Sequence, residues 1–295
     1  MKYLYLDDEQ IQQTQDIVEL LESERDDLEI VWSKPKSFGD EIKRLKKETY
    51  DGLMLDLRLD QKSQAEYRAF SLAQEIRTRA TEGTMKDIPI VVCSTDRKLK
   101  VSYNKDTSGQ DLFDRKYLKN DDLGDESKRV ANELVSLAKG YAQITEMKSK
   151  LKGKGVELDK FLNLKESELK LIDTRVFDYA NTKKGRLPVH EYAKFIFNEL
   201  ISYPGVLVDK LTVLARLGVD EESHEVTKLL ESLKKFKYTG AFGDFWERWW
   251  WPLIENWFND KSGLKISFLE SAERTSELKK ITKIQKLTAA TPIIS

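Results

Sequence analysis

The sequence predicts an α/β fold, a doubly wound five-stranded parallel sheet, followed by a mainly α-helical second domain. Two observations carry this prediction. In the first third of the chain, short apolar segments typical of buried strands alternate with amphipathic segments typical of helices. From about residue 126 the strand signals stop, and the remainder of the 295 residues has mainly helical periodicity.

The strand signals of the first domain come in regular alternation with helices. The predicted strands are short, and those before the fifth are mainly apolar, which suits a parallel sheet that is covered by helices on both faces. The five predicted strands are KYLYL (2–6), LEIVWS (28–33), YDGLMLD (50–56), IPIVVCS (88–94) and RKYLK (115–119). Helices are predicted over 11–24, 38–48 and 67–80, and a polar helical stretch separates the fourth and fifth strands.

The C-terminal part reads as helices joined by short loops. A single long helix is predicted over 126–155, and further helices over 187–202, 206–218 and 223–237. We therefore expect three parts, which are a first domain (1–125), a connecting long helix (126–155) and an α-helical output or interaction domain (156–295).

Composition excludes several classes of protein. Fifty basic and 51 acidic residues give a net charge of −1, which does not favour binding of nucleic acid through bulk charge. The single cysteine, Cys93, excludes an internal disulfide and a multi-cysteine zinc site. The sequence has no apolar run long enough to span a bilayer, and its N-terminus does not resemble a signal peptide. A cytoplasmic protein without a membrane partner is expected.

Three carboxylates fall at the ends of predicted strands. Asp7 and Asp8 follow the first strand, and Asp56 ends the third, although a charge is costly to bury without a partner. Ligands of parallel α/β sheets bind at the C-terminal ends of the strands. If strands one and three are neighbours, the three carboxylates converge, and a cation must offset their repulsion. Oxygen ligands with room for water suit Mg²⁺.

A hydroxyl and an ammonium end the last two strands. Ser94 ends the fourth strand and Lys119 the fifth. Together with the carboxylates and Mg²⁺, they form a site that can hold a phosphoryl group on Asp56. The Asp56 carboxylate is the expected nucleophile, Mg²⁺ and Lys119 neutralise the phosphoryl oxygens, and Ser94 donates a hydrogen bond to one of them.

These residues resemble the receiver domain of two-component response regulators. The matching segments are YLYLDDEQ, YDGLMLDLRLD, IPIVVCSTD and RKYLKND, in family order over residues 1–125. The resemblance implies a flavodoxin-like sheet with strand order 2-1-3-4-5. It implies Asp56 as phosphoacceptor, Asp8 as a direct Mg²⁺ ligand, Asp7 assisting through water, the Arg58 carbonyl as a further ligand, and Ser94 as the switch hydroxyl.

Two residues are candidates for the family's lysine, and two positions that usually hold proline in the family hold other residues here. Lys119 follows the pair Tyr117 and Leu118 and is preferred, because FDRK is too charged for a buried strand that runs into Lys116. Lys116 has the more usual spacing from Ser94, with Phe113 as an aromatic switch candidate. The family usually has a proline four residues after the phosphoacceptor, where this chain has Asp60, and another after the lysine. A receiver that keeps the fold without being phosphorylated is the alternative.

The resemblance implies a signalling protein rather than an enzyme. A histidine kinase or a phosphotransfer protein is the expected phosphodonor, and slow self-phosphorylation from small donors and self-dephosphorylation are expected. The phosphorylated state is expected to alter contacts of the helical domain with another protein, and a homodimer is a further option.

The alternative function is that of a DNA-binding transcription factor. The order of predicted elements in residues 187–242 resembles that of a winged helix, with KYTGAF as the possible wing. The would-be recognition helix begins among Asp220, Glu221, Glu222 and Glu225, whereas a DNA-reading helix needs basic residues beside the phosphates. A protein-interaction domain is therefore favoured. An enzyme is a third option, but no catalytic motif is visible in this domain.

An aromatic block at 243–258 holds five of the six tryptophans. Its large side chains recur at spacings of three and four, which predicts an apolar helical stripe that serves as core or as a partner surface. Pro252 is expected to start a second helix or kink the first. Trp251 falls off the stripe and is expected to be exposed, and both histidines, His190 and His224, are expected to be surface or capping residues.

Overall fold

The computed structural model describes residues 1–9, 11–60, 65–95, 110–151, 162–173, 175 and 187–291. The chain divides into two compact units, and each is described by itself. Unit 1 comprises Met1–Lys150 and Arg186–Lys194, and unit 2 comprises Leu151–Gly185 and Phe195–Ser295. Over the described ranges, no helix combines the length and the apolar character needed to cross a membrane.

Unit 1 is built on a five-stranded parallel sheet. The strand order is β2-β1-β3-β4-β5, which confirms the predicted fold class and fits a receiver-type sheet. The strands are β1 (Lys2–Leu6), β2 (Glu29–Ser33), β3 (Gly52–Asp56), β4 (Ile90–Ser94) and β5 (Arg115–Leu118). Every residue of β3 and β4 is buried, which explains why these two segments are continuous apolar runs.

Among the described residues of 1–151, four α-helices accompany the sheet. They are α1 (Ile11–Ser23), α2 (Phe38–Lys47), α3 (Ala69–Thr81) and α4 (Ser127–Leu151). The start of α2 is fixed by Ser37, whose hydroxyl accepts a hydrogen bond from the Asp40 amide. The polar helical stretch predicted after β4 falls mostly on residues 96–109, which lie outside the described residues.

Helix α4 packs on the sheet of unit 1. The Tyr3 hydroxyl donates to the Leu134 carbonyl at 2.7 Å, and the Tyr117 hydroxyl donates to Glu133 at 2.8 Å. Both tyrosines are buried strand residues, so their polar ends need partners on the covering helix. The sequence predicts this helix as a connection between domains, and the structure shows that it packs on the sheet of unit 1 through Glu133 and Leu134.

A buried ionic cluster lies at the edge of the sheet where β4 and β5 begin. Arg77 of α3 pairs with Asp87 at 2.9 Å and with Asp114 at 2.8 Å. His190, in helix α6 (Val189–Lys194), places Nδ1 2.7 Å from Asp87. His190 is buried, so its expected surface position is wrong. Local sequence could not show that this segment packs against residues a hundred positions earlier.

Unit 2 combines short helices with a small antiparallel sheet. Strand β6 (Leu207–Val208) pairs with β7 (Trp249–Trp250), and an isolated bridge joins Lys237 to Trp249. The helices are α5 (Glu166–Leu169), α7 (Lys210–Leu217), α8 (Val226–Ser232), α9 (Trp251–Ser262) and α10 (Ser271–Thr282). The order of strand, two helices, then two strand positions is that of a winged helix. Assignment of the unit to that class stays a prediction.

The aromatic block is core, but it is not one helical stripe. Trp249 and Trp250 are strand residues, and the helix begins only at Trp251, with Pro252 in its first turn. The continuous stripe was therefore a wrong prediction, because the three- and four-residue spacing arose across a strand and a loop. Trp251 is half-buried beneath the Arg216 guanidinium, 5.2 Å from its ring centre, so the expected exposure is also wrong.

Two glycines that end helices of unit 2 provide a matched test of its packing. Gly218 follows α7 with φ of 71°, and Gly263 follows α9 with φ of 72°. A Cβ on Gly218 would lie 2.7 Å from the Ser271 Cα, whereas a Cβ on Gly263 would meet nothing within 4 Å.

Gly263→Ala is expected to lower the free energy of unfolding by about 1–2 kcal/mol, the cost of a left-handed alanine. Gly218→Ala is expected to cost about 1–3 kcal/mol more, because the backbone at Ser271 must move. Urea denaturation followed by tryptophan fluorescence measures both changes. Equal losses in the two variants would contradict the close packing of α7 on α10.

Candidate functional site

Three buried carboxylates meet at the C-terminal edge of the sheet. Asp7 and Asp8 follow β1, and Asp56 ends β3. The two strands are neighbours, with Leu6 opposite Leu55, so their ends lie side by side. One oxygen from each carboxylate lies within 4.8 Å of the other two. The topology therefore brings together the three acids that the sequence placed at strand ends.

Lys119 reaches into this cluster from the end of β5. Its ammonium Nζ lies 2.7 Å from Asp56 Oδ1 and 2.8 Å from Asp7 Oδ2. Burial by itself would lower the pKa of Lys119, but the two carboxylates outweigh burial and raise it. Lys119 is therefore a fixed positive charge, and it partly offsets the repulsion among the acids.

The surroundings of Asp56 raise the pKa of its carboxyl above the ordinary value. Burial raises the pKa of Asp56, Lys119 opposes this effect, and the Asp7 charge adds to it. The Arg58 amide donates a hydrogen bond to Asp56 Oδ2 at 2.8 Å. One carboxylate oxygen is thus held by the backbone while Oδ1 faces the ammonium. This arrangement fixes the orientation of the Asp56 carboxylate.

Ser94 supplies a buried hydroxyl at the adjoining strand end. Its carbonyl accepts a hydrogen bond from the Lys119 amide at 3.0 Å, so the two residues are fixed side by side. The Ser94 hydroxyl is buried and has no hydrogen-bond partner among the described residues. An unsatisfied buried hydroxyl is rare, and a ligand oxygen in the site would satisfy it.

The donor set suits Mg²⁺. All three clustered acids offer oxygen, and no sulfur or imidazole ligand belongs to the group. The three clustered carboxylates outnumber the one ammonium, that of Lys119, which contacts Asp7 and Asp56, and a divalent cation would offset the remaining negative charge. The unpartnered Ser94 hydroxyl agrees with a site made for a further oxygen-rich group.

Other residues named from the sequence lie elsewhere. Lys116 is exposed on β5, and Phe113 is buried in the core, where it packs edge-to-face on Phe70 at 5.3 Å. Asp60, at the position where the family pattern has a proline, pairs with Arg58 at 2.9 Å. An ion pair thus occupies the turn after Asp56.

Sequence reasoning missed two residues that contact the site. The Tyr5 hydroxyl donates to Asp7 Oδ2 at 2.7 Å, and burial raises the pKa of Tyr5 well above its usual range, so it stays a donor. Glu9 Oε2 lies 3.2 Å from Lys119 Nζ, and the Glu9 amide donates to Asp7 Oδ1. The third acid in LDDE was the available signal, but adjacency alone did not reveal its contact with a lysine 110 positions away.

Several solved structures share a weak likeness with this chain. No family model and no curated protein matches the chain. Among solved structures, NtrX from Brucella abortus is 16% identical with a TM-score of 0.36, over 49% of this chain and 29% of the NtrX chain. NtrX in complex with ATP gives 14% identity and a TM-score of 0.37, over 81% of this chain and 56% of that chain. A sensor protein from Polaromonas sp. JS666 is 18% identical with a TM-score of 0.32, over 47% of this chain and 95% of that chain.

Proposed function

We propose that unit 1 is a two-component receiver in which Asp56 accepts a phosphoryl group in an Mg²⁺-dependent reaction. The observation that carries the proposal is the contact of the Lys119 ammonium, 2.7 Å from Asp56 Oδ1, inside a cluster of buried carboxylates. A lysine held on the nucleophile by geometry, at the edge where parallel sheets bind ligands, suits transfer of an anionic group.

The chemistry follows from the positions of these side chains. A carboxylate oxygen of Asp56 attacks the phosphorus of a phosphohistidine on a histidine kinase or a phosphotransfer protein. The P–N bond breaks, its electron pair stays on the imidazole, and an acyl phosphate forms on Asp56. Lys119 neutralises charge on the transferred oxygens, and the Ser94 hydroxyl donates to one of them.

The metal would be held by residues of the same edge. Asp8, Asp56 and the Arg58 carbonyl are the proposed ligands, and Asp7 assists through water. Bound Mg²⁺ supplies positive charge beside the transferred phosphoryl oxygens. The Asp7 carboxylate accepts hydrogen bonds from the Tyr5 hydroxyl and the Glu9 amide, so its orientation is fixed by the protein itself.

The output is proposed to be a change in protein contacts. Phosphorylation would alter what the helical second unit binds, either another protein or a second copy of the chain. The proposed reactions of the site by itself are slow uptake of a phosphoryl group from small donors and slow hydrolysis of the acyl phosphate.

Binding of DNA is the second candidate output, favoured by the winged-helix order of β6, α7, α8 and β7. Charge on α8 opposes it. Lys228 pairs with Glu225 at 2.6 Å, and the nearby Lys234 pairs with Glu231 at 3.0 Å, so these cations are already offset. Salt-dependent binding of duplex DNA by the full chain would support this candidate, and no binding at low salt would exclude it.

Incubation with a small phosphodonor and Mg²⁺, followed by intact-mass spectrometry, tests the proposed function. The wild type is expected to gain one phosphoryl group with Mg²⁺ and none with a chelator. Asp56→Asn is expected to gain none, because the amide is not a nucleophile. An adduct of equal yield on Asp56→Asn, or no adduct on the wild type with several donors, would refute the proposal.

A further inference from the structure

We infer that Glu9 opposes phosphoryl uptake by holding Lys119 in a three-carboxylate contact with which the phosphoryl group must compete. This inference rests on the proposed phosphorylation of Asp56 and adds a residue that sets how readily it occurs. Glu9 acts through Lys119, so it is a positioning residue.

The contact is a full set of acids around one ammonium. Nζ of Lys119 lies 2.7 Å from Asp56, 2.8 Å from Asp7 and 3.2 Å from Glu9. An ammonium has three N–H donors, and three carboxylates surround this one. A phosphoryl group on Asp56 brings further acceptor oxygens and one more negative charge to the same cation.

Glu9 differs from the other two acids in its exposure. The side chains of Asp7 and Asp56 are each 1% exposed, whereas that of Glu9 is 23% exposed. In the proposed mechanism, Asp56 takes the phosphoryl group and Asp7 assists the metal, but Glu9 has neither task. Glu9 is therefore the member of the contact that can release Lys119 without exposing a buried charge.

The negative charge of Glu9 opposes phosphorylation of Asp56 in two ways. It offsets part of the positive charge that Lys119 offers to phosphoryl oxygens, and it repels the anionic donor as that donor approaches. The backbone amide of Glu9, which donates to Asp7, stays in place when the side chain changes. Glu9→Gln keeps the size of the side chain and an oxygen acceptor for Lys119, so it removes the charge alone.

Glu9→Gln is expected to raise the rate of phosphorylation by a small anionic donor about two- to fivefold. The affinity for beryllium trifluoride, an anionic phosphoryl analogue, is expected to rise by a similar factor in a ¹⁹F NMR titration with Mg²⁺. The differences in rate and in affinity between Glu9→Gln and the wild type are expected to become smaller at high salt, because Glu9 is partly exposed to screening ions. A merely structural role would give no such salt dependence.

Glu75→Gln is the matched control. Glu75 on α3 is 32% exposed and pairs with Arg79 at 2.6 Å, so this variant removes one charge and one ion pair away from the site. It is expected to leave both measurements unchanged. An unchanged or lower rate and affinity in Glu9→Gln, with normal phosphorylation of the wild type, would overturn the inference alone. Failure of the wild type to take up the phosphoryl group would overturn the proposed function as well.

Discussion

Lys119→Met is expected to slow phosphoryl uptake from a small donor by about 10²–10³-fold, the usual cost of losing one preorganised donor to transferred oxygens. The ammonium is buried and lies within 2.8 Å of both Asp56 and Asp7. It already lies beside the carboxylate that would carry the phosphoryl group, and no other cation among the described residues makes an ion pair with Asp56. Methionine keeps much of the length of the side chain but removes its charge.

Lys116→Met is the control for this prediction. Lys116 lies on the same strand, three residues earlier, and is exposed. Its replacement changes the net charge by the same amount without touching the carboxylates, so the rate is expected to stay within about twofold of wild type. Quantitative intact-mass spectrometry over a time course gives both rates. A larger loss for Lys116→Met than for Lys119→Met would reassign the receiver lysine.

Arg77→Met is expected to lower the free energy of unfolding of unit 1 by about 3–5 kcal/mol. The Arg77 side chain is 4% exposed, and it pairs with Asp87 and Asp114. It also donates to the Ile88 carbonyl at 2.8 Å. Methionine fills much of the space, but it leaves two buried carboxylates without their shared cation. Buried charges that lose their partner strongly destabilise the folded state.

Arg79→Met on the same helix is the matched control. The Arg79 side chain is 31% exposed and pairs only at the surface, with Glu75 at 2.6 Å. Its loss is expected to cost less than about 1 kcal/mol. Urea denaturation followed by far-ultraviolet circular dichroism compares the two. Similar small losses for both variants would contradict a buried, fully paired Arg77.

The cost of Arg77→Met is expected to depend on pH. Burial by itself would raise the pKa of Asp87, but the hydrogen bond from His190 and the charge of Arg77 outweigh it, so the pKa lies below the usual 3.8. A carboxyl whose pKa is lower when folded contributes stability above its unfolded pKa and loses it as pH falls. The difference in free energy of unfolding between the wild type and Arg77→Met is therefore expected to be largest at neutral pH and to become smaller below about pH 4.

Much of unit 1 could be predicted from local sequence. A buried parallel strand is a continuous apolar run, so β1, β3 and β4 were visible as such. Parallel strands place their C-terminal ends on one edge, and this rule was enough to group Asp7, Asp8 and Asp56. These predictions succeeded because each depends on periodicity or on topology, and not on the detailed packing of side chains.

The remaining features depend on contacts between distant segments. Glu9 meets Lys119 and His190 meets Asp87 only after the chain has folded, and no spacing along the sequence records either pair. The tryptophan block shows a different cause of error. A spacing of three and four arose across a loop, a strand and a helix start, so periodicity indicated helix on both sides of Pro252. The structure has a strand at Trp249–Trp250 and a helix only from Trp251.

The most direct test of the proposed phosphorylation is to locate the phosphoryl group on the chain. Borohydride reduces an aspartyl phosphate to homoserine and leaves free carboxylates and serine phosphates unchanged, and peptide mass spectrometry then locates the product. Homoserine is expected in place of Asp56 in the protein treated with donor and Mg²⁺, and none is expected when a chelator replaces Mg²⁺. Homoserine at another acid with Asp56 intact, or a phosphoryl group on a hydroxyl, would refute phosphorylation of Asp56.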